Sequence, residues 1–165
     1  MVSCWMGVLV VSFPLQAQSV KIGYVNTAEI LQAMPEAAKA QEELQKYAQQ
    51  LEEQLQQMMD EYQQKLAEYE ENKELWPQTV REIKEKEILT LQLNIQEYRL
   101  KAQQDLQIKQ QELMQPIVEK IQRAVEEVAR ERGYDYVIDA STGVLLVSPP
   151  GDDLTLYVKR KLGLQ

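Results

Sequence analysis

The feature that most constrains this chain is an apolar repeat at alternating spacings of four and three. Leu44, Ala48, Leu51, Leu55, Met58, Tyr62 and Tyr69 carry it. Such spacing draws one seam along a helix, the heptad pattern of a coiled coil. The repeat weakens at Lys65, where Leu66 is the nearest apolar residue, and residues 70–77 interrupt it. Ile88, Leu91, Ile95, Tyr98 and Ala102 then resume it. Two helices with facing seams on either side of Trp76-Pro77 predict an antiparallel hairpin, with Pro77 as the first residue of the returning helix. At a rise of about 1.5 Å per residue, forty residues make an arm of roughly 60 Å. An arm that long cannot fold back into a compact globule of 165 residues.

The flanking segments predict the base on which this arm stands. Residues 20–26 alternate apolar with small or polar residues, the period of a half-buried strand. Asn26 with Glu29 makes a variant capping box for a short helix ending near Ala33. Pro35 restarts the helix as a first-turn proline. Pro116 is expected to interrupt the second helix, kink it and mark its entry into the base. Ile117, Ile121, Val125 and Val128 then form a tighter aliphatic face, closed by Gly133. Residues 134–139 read as a second strand and residues 144–147 as a third, after a turn at Ser141-Thr142-Gly143. A last helix, 154–162, is capped by Asp152 or Asp153. The expected fold class is therefore α+β, a long antiparallel helical-hairpin (coiled-coil) arm on a small β-sheet base. Residues 18–35 and 116–165 supply the base, and 36–115 the arm.

So small a base buries little on its own, and identical copies are the expected partners. The chain has no histidine, which removes His-based triads, His general bases and most zinc sites. Its single cysteine, Cys4, supports no internal disulfide. Asp135, Asp139, Asp152 and Asp153 lie near strand ends, where turn and capping roles account for all four. Gly143 and Gly151 are turn glycines without phosphate-loop spacing. No catalytic residue, cofactor or metal is expected. The net charge of −8 argues against a nucleic-acid partner and against anionic membrane surfaces.

Residues 1–17 resemble a secretory signal peptide, with Val8-Leu9-Val10-Val11 as its apolar core and cleavage expected after Ala17. No Lys or Arg precedes the core, and Leu15 is larger than the residue usual three positions before a cut. Within the arm, methionine and tyrosine in place of leucine give a softer, more adaptable surface. Met59, Leu66, Leu75 and Ile83 are left over from the seam and must face something else. Trp76 either packs at the turn or presents a tip to a partner.

The order strand, short helix, long hairpin, strand, strand, helix resembles the Skp/OmpH family of periplasmic chaperones. Ile22-Gly23-Tyr24-Val25-Asn26 with Ile30-Leu31-Gln32 resembles the family's opening strand and helix. Residues 121–129 leading into Tyr134-Asp135-Tyr136-Val137-Ile138-Asp139-Ala140-Ser141 resemble its helix-to-strand return. Asp153-Leu154-Thr155 and residues 158–162 fit its last helix. The resemblance implies an exported homotrimer whose three tentacle-like arms hold unfolded outer-membrane β-barrel proteins in a cavity, without ATP, before membrane insertion. It also leaves room for a second partner, the outer-membrane insertion machinery, at base or tips. Client-binding candidates are then Met58, Met59, Tyr62, Leu66, Tyr69, Leu75, Trp76, Val80 and Ile83. Candidates for the oligomer base are Ile22, Tyr24, Val25, Ile121, Val125, Tyr136, Val137 and Ile138. Pro116 and the break at Lys65 are candidate hinges. The acidic arm departs from the family's basic members, so client capture is expected to rest on apolar contact more than on charge. A structural envelope scaffold and a prefoldin-like subunit are the rival readings.

Overall fold

The computed structural model describes residues 20–164, so the expected signal peptide lies outside the described residues. The chain runs β1 (Ile22–Val25), α1 (Thr27–Ala33), α2 (Pro35–Asn72), α3 (Gln78–Arg132), β2 (Tyr136–Asp139), two short 3-10 turns and α4 (Thr155–Lys161).

α2 and α3 form the hairpin. Leu44, Ala48, Leu51, Leu55, Met58, Tyr62 and Tyr69 are all half-buried, as are Ile88, Leu91, Tyr98 and Ala102, while Ile95 is buried. Cross-helix contacts give the antiparallel register. Lys120 pairs with Glu36 at 2.5 Å, Lys109 with Glu43 at 2.6 Å and Lys84 with Glu68 at 3.2 Å. The Tyr98 hydroxyl donates to the Leu51 carbonyl at 3.3 Å. At the heptad break the Lys65 ammonium lies 3.9 Å from Glu61 and 3.6 Å from Glu87 on α3. α2 is continuous there, because a long amphipathic side chain lays its stem along the seam and its charge at the edge.

Local rules set the helix ends. Met34 precedes Pro35, the first residue of α2. The Asn26 side chain accepts from the Glu29 amide at 3.1 Å, half of the expected capping box. Glu29 turns its own carboxylate to Lys159 on α4, 2.6 Å away. Pro77 is the residue before α3 rather than its first. Gly133 ends α3 at φ 67°, a left-handed conformation that costs glycine little. The expected interruption at Pro116 is absent, since α3 passes through it unbroken. The ring removes one amide donor, but Leu113, Met114 and Ile117 beside it pack on the base core and hold the flanking turns.

The base closes around two strands far apart in sequence. β1 and β2 are parallel, with Ile22 opposite Tyr136, Gly23 opposite Val137, Tyr24 opposite Ile138 and Val25 opposite Asp139. Parallel strands require a long crossover, and here the whole arm is that crossover. Under the sheet, Val25, Ile30, Met34, Ile117, Ile121, Ala124, Val128, Leu154 and Val158 make one core. The third strand is not formed. After the 3-10 turn Ala140–Thr142, Gly143 adopts φ 72° and residues 144–147 leave the sheet unpaired, with Leu146 93% exposed. The free side of β1 is instead met by a single bridge from Asp153 to Tyr24. Asp153 accepts from the Thr155 amide at 2.8 Å, beside the start of α4.

Gly23 is the tightest point of this core. A Cβ there would stand 2.9 Å from Tyr134 Cδ1 and 3.0 Å from Leu154 Cδ1. Gly23→Ala is expected to cost about 1–3 kcal/mol by overpacking. Gly151→Ala, which meets nothing within 4 Å, serves as the control. Urea unfolding followed by circular dichroism checks the pair, and equal midpoints would refute the crowding at Gly23.

Candidate functional site

Two surfaces carry exposed apolar side chains, the arm and the outer face of the base. At the tip, residues 73–77 turn on the Asn72 carbonyl, which accepts from Leu75 at 2.9 Å and Trp76 at 3.1 Å. The Trp76 ring packs on Tyr69 at a centroid distance of 6.2 Å, with the Lys84 ammonium 5.6 Å from it. Tyr69 also donates to Glu85, and this bond, with burial second, pushes its phenol above the usual range. Trp76 is therefore a packed turn residue, and the apolar group the tip presents is Leu75, 81% exposed.

The other arm candidates divide in the same way. Met58 and Tyr62 lie half-buried in the seam, and Leu66 and Val80 are half-buried too. Met59 is half-buried with its sulfur 3.4 Å from the Arg99 guanidinium. Ile83 is exposed and lines a shallow groove with Leu91, Thr90 and Asn94. Leu89, Leu93, Leu100 and Ile108 are exposed as well, Leu100 by 71%, and the seam-based candidates omit all four. Their signal was a second apolar series off the heptad, on the side of α3 turned away from α2.

In the base, pleating sorts the candidates. Ile22, Tyr24, Tyr136 and Ile138 share the outer face of the two-stranded sheet, where Ile22 is 50% and Tyr136 63% exposed. Val25 and Ile121 are corrections to the expected oligomer surface, because both are buried in the protomer's own core. Val25 sits on the inward side of the pleat with Gly23, and Ile121 on the face of α3 beneath it. Val125 and Val137 are half-buried and, with Leu31 and Val118, line an apolar groove of about 500 Å³ beside that core.

The four strand-end carboxylates are all engaged structurally. Asp135 accepts from the Lys21 amide at 2.8 Å and Asp152 from the Tyr134 hydroxyl at 3.0 Å. Asp139 accepts from the Thr27 hydroxyl at 2.5 Å, the Thr27 amide at 3.3 Å and the Ser141 amide at 2.9 Å. It thereby ties β2 to the first turn of α1. Burial pushes the Asp139 pKa up, but the hydrogen bonds from Thr27 and Ser141 outweigh it, and the net direction is down. Among the described residues, no group of three or more Cys, Asp or Glu side chains is placed to hold a metal ion. No helix of the described residues is long and apolar enough to cross a membrane. Charge is segregated. Residues 36–115 hold seventeen acidic and ten basic side chains, so the arm carries −7 of the net −8.

These features define an arm-and-base protein, a long helical hairpin whose own length is the crossover of a small parallel sheet. Over residues 21–162 the sequence matches the family described as outer membrane protein (OmpH-like), and the chain belongs to that family. Among solved structures it is similar to an OmpH-like protein of Caulobacter crescentus CB15, described as an outer membrane chaperone. The TM-score is 0.75 at 12% identity, covering 93% of this chain and 90% of that one. At that identity the likeness establishes the fold. No curated protein matches the chain.

The Asp139 contacts give a signed pH dependence. Its folded pKa is depressed below the ordinary value of 3.8, so its contribution is present above that value and is lost as pH falls through the folded pKa. Asp139→Asn is expected to cost about 1–3 kcal/mol near neutrality, the scale of hydrogen bonds to a charged group. The gap from wild type should close below about pH 4. Unfolding midpoints measured from pH 3 to 7 check this, and a pH-independent gap would contradict it.

Proposed function

We propose that this protein is an ATP-independent holdase chaperone of the periplasm, acting as a homotrimer on unfolded outer-membrane β-barrel proteins before their insertion. The observation that carries this reading is an arm that keeps apolar side chains in water along its length, from Leu75 and Ile83 to Leu100 and Ile108. Solvent-facing apolar series of this kind mark interaction surfaces. Membership of the OmpH-like family supports the reading, as does the likeness to a protein described as an outer membrane chaperone.

The base supports self-association. Ile22, Tyr24, Tyr136 and Ile138 form an apolar sheet face on which Ile22 and Tyr136 are exposed among the described residues, and Val144, Leu146 and Val147 are exposed too. Three such faces closing on one another would bury both, and would give the β-prone segment 144–147 the strand partner that it lacks alone. The arms then enclose a shared space. A client held there meets many partial contacts. Each is worth less than the roughly 1.5–3 kcal/mol of a fully buried aliphatic side chain, so no contact traps it. Exchange of such contacts needs no nucleotide. Handover to the outer-membrane insertion machinery belongs to the same proposal.

Two outcomes are expected. An outer-membrane β-barrel protein diluted from urea should stay soluble in the presence of this protein without nucleotide, and added ATP should not change the light scattering. ATP-dependent holding would contradict the mechanism. Val144→Asp with Leu146→Asp, at positions that support no contact in the protomer core, should weaken self-association by at least about tenfold in sedimentation velocity, given the cost of burying charge in an interface. Unchanged association would move the interface elsewhere.

A further inference from the structure

The two outward faces of the arm differ in kind. Opposite its seam, α2 shows Glu42, Lys46, Glu53, Asp60 and Glu71 with Gln49, Gln57 and Gln64 between them, all exposed and none a large apolar residue. Opposite its seam, α3 shows Leu89, Leu93, Gln96, Leu100, Gln104, Gln107 and Gln111 with a single charged residue, Glu97, among them, all exposed. At 100° per residue these cluster about half a turn from Leu91, Ile95, Tyr98 and Ala102. A strip of three exposed leucines with one charge, on an arm of net −7, departs from the ordinary solvated helix face.

Resting on the holdase reading above, we infer that this leucine–glutamine strip on the back of α3 is the client-holding surface. Its occupant is an extended, unfolded polypeptide, and the charged back of α2 faces bulk water. Spacing selects that occupant over another helix. Successive leucines are separated by four and seven residues, then eight to Ile108, or about 6, 10 and 12 Å along the axis. A second helix would need apolar groups every three or four residues to form a seam. An extended chain presents same-face side chains about 6.6 Å apart and bends to meet irregular gaps. Glutamine amides between the leucines both donate and accept, so they can satisfy the free peptide groups that an unfolded chain carries and a helix does not. With Glu97 as its one charge, the strip selects little by client charge.

The test uses the mature protein and an outer-membrane β-barrel protein diluted from urea. Leu89→Gln, Leu93→Gln and Leu100→Gln together leave the seam intact, so helicity and assembly state should match wild type. The concentration that half-suppresses client aggregation should rise by about tenfold or more, roughly the loss of one buried leucine's worth of contact. Wild-type suppression should change by less than about threefold between low and high salt, because no ion pair is lost to screening. A photoreactive residue at Gln96 or Gln104 should label the client, while one at Gln57 or Gln64 on α2 should not. Undiminished holding by the triple variant, labelling from α2 alone, or self-adducts in place of client adducts would each overturn the assignment. A wild-type protein that holds no client at all would instead sink the holdase reading.

Discussion

The α2–α3 seam is the contact on which the rest of the molecule depends. β1 and β2 are brought into register only after the chain has travelled out along α2, turned at Asn72 and returned along α3. Each strand is four residues long and could not persist alone. The seam itself is composed of half-buried leucine, methionine and tyrosine, with Ile95 the buried residue of its middle. Ion pairs at its edges are exposed and contribute little individually, but they fix the antiparallel register. Aliphatic packing around Ile30, Leu154 and Val158 then anchors the foot.

Much of this architecture was legible in the sequence because single residues had single physical consequences. The four-three alternation from Leu44 to Tyr62 dictated a helix seam, Pro35 a helix start, Asn26 a cap and Gly133 a left-handed stop. What was not legible depended on context. Val144 to Val147 has strand chemistry, yet a strand needs a neighbour, and the described residues of one protomer provide none. Pro116 is a helix breaker in isolation, but Leu113, Met114 and Ile117 beside it pack on the base core. The inward turn of Val25 follows from its sharing a pleat face with Gly23, as the period-two alternation of residues 20–26 implies. Leu89, Leu93 and Leu100 lie off the heptad period, so the seam pattern does not reveal them.

The arm thus separates two tasks that a single apolar surface would confuse. Residues of the seam give the hairpin its stiffness and are spent on each other. Those on the back of α3 are withheld from that packing and stay available. An acidic arm keeps such an apolar surface soluble, since carboxylates on the other faces supply hydration and mutual repulsion. Soft, numerous and individually weak contacts suit the proposed holdase, which would bind unfolded chains and give them back without fuel.

The most direct test of this account is the native mass of the mature protein, alone and then mixed with a urea-diluted outer-membrane β-barrel protein. The account predicts three copies alone and a discrete soluble complex of three copies with one client. A monomer, or a trimer beside which the client precipitates uncomplexed, would contradict it.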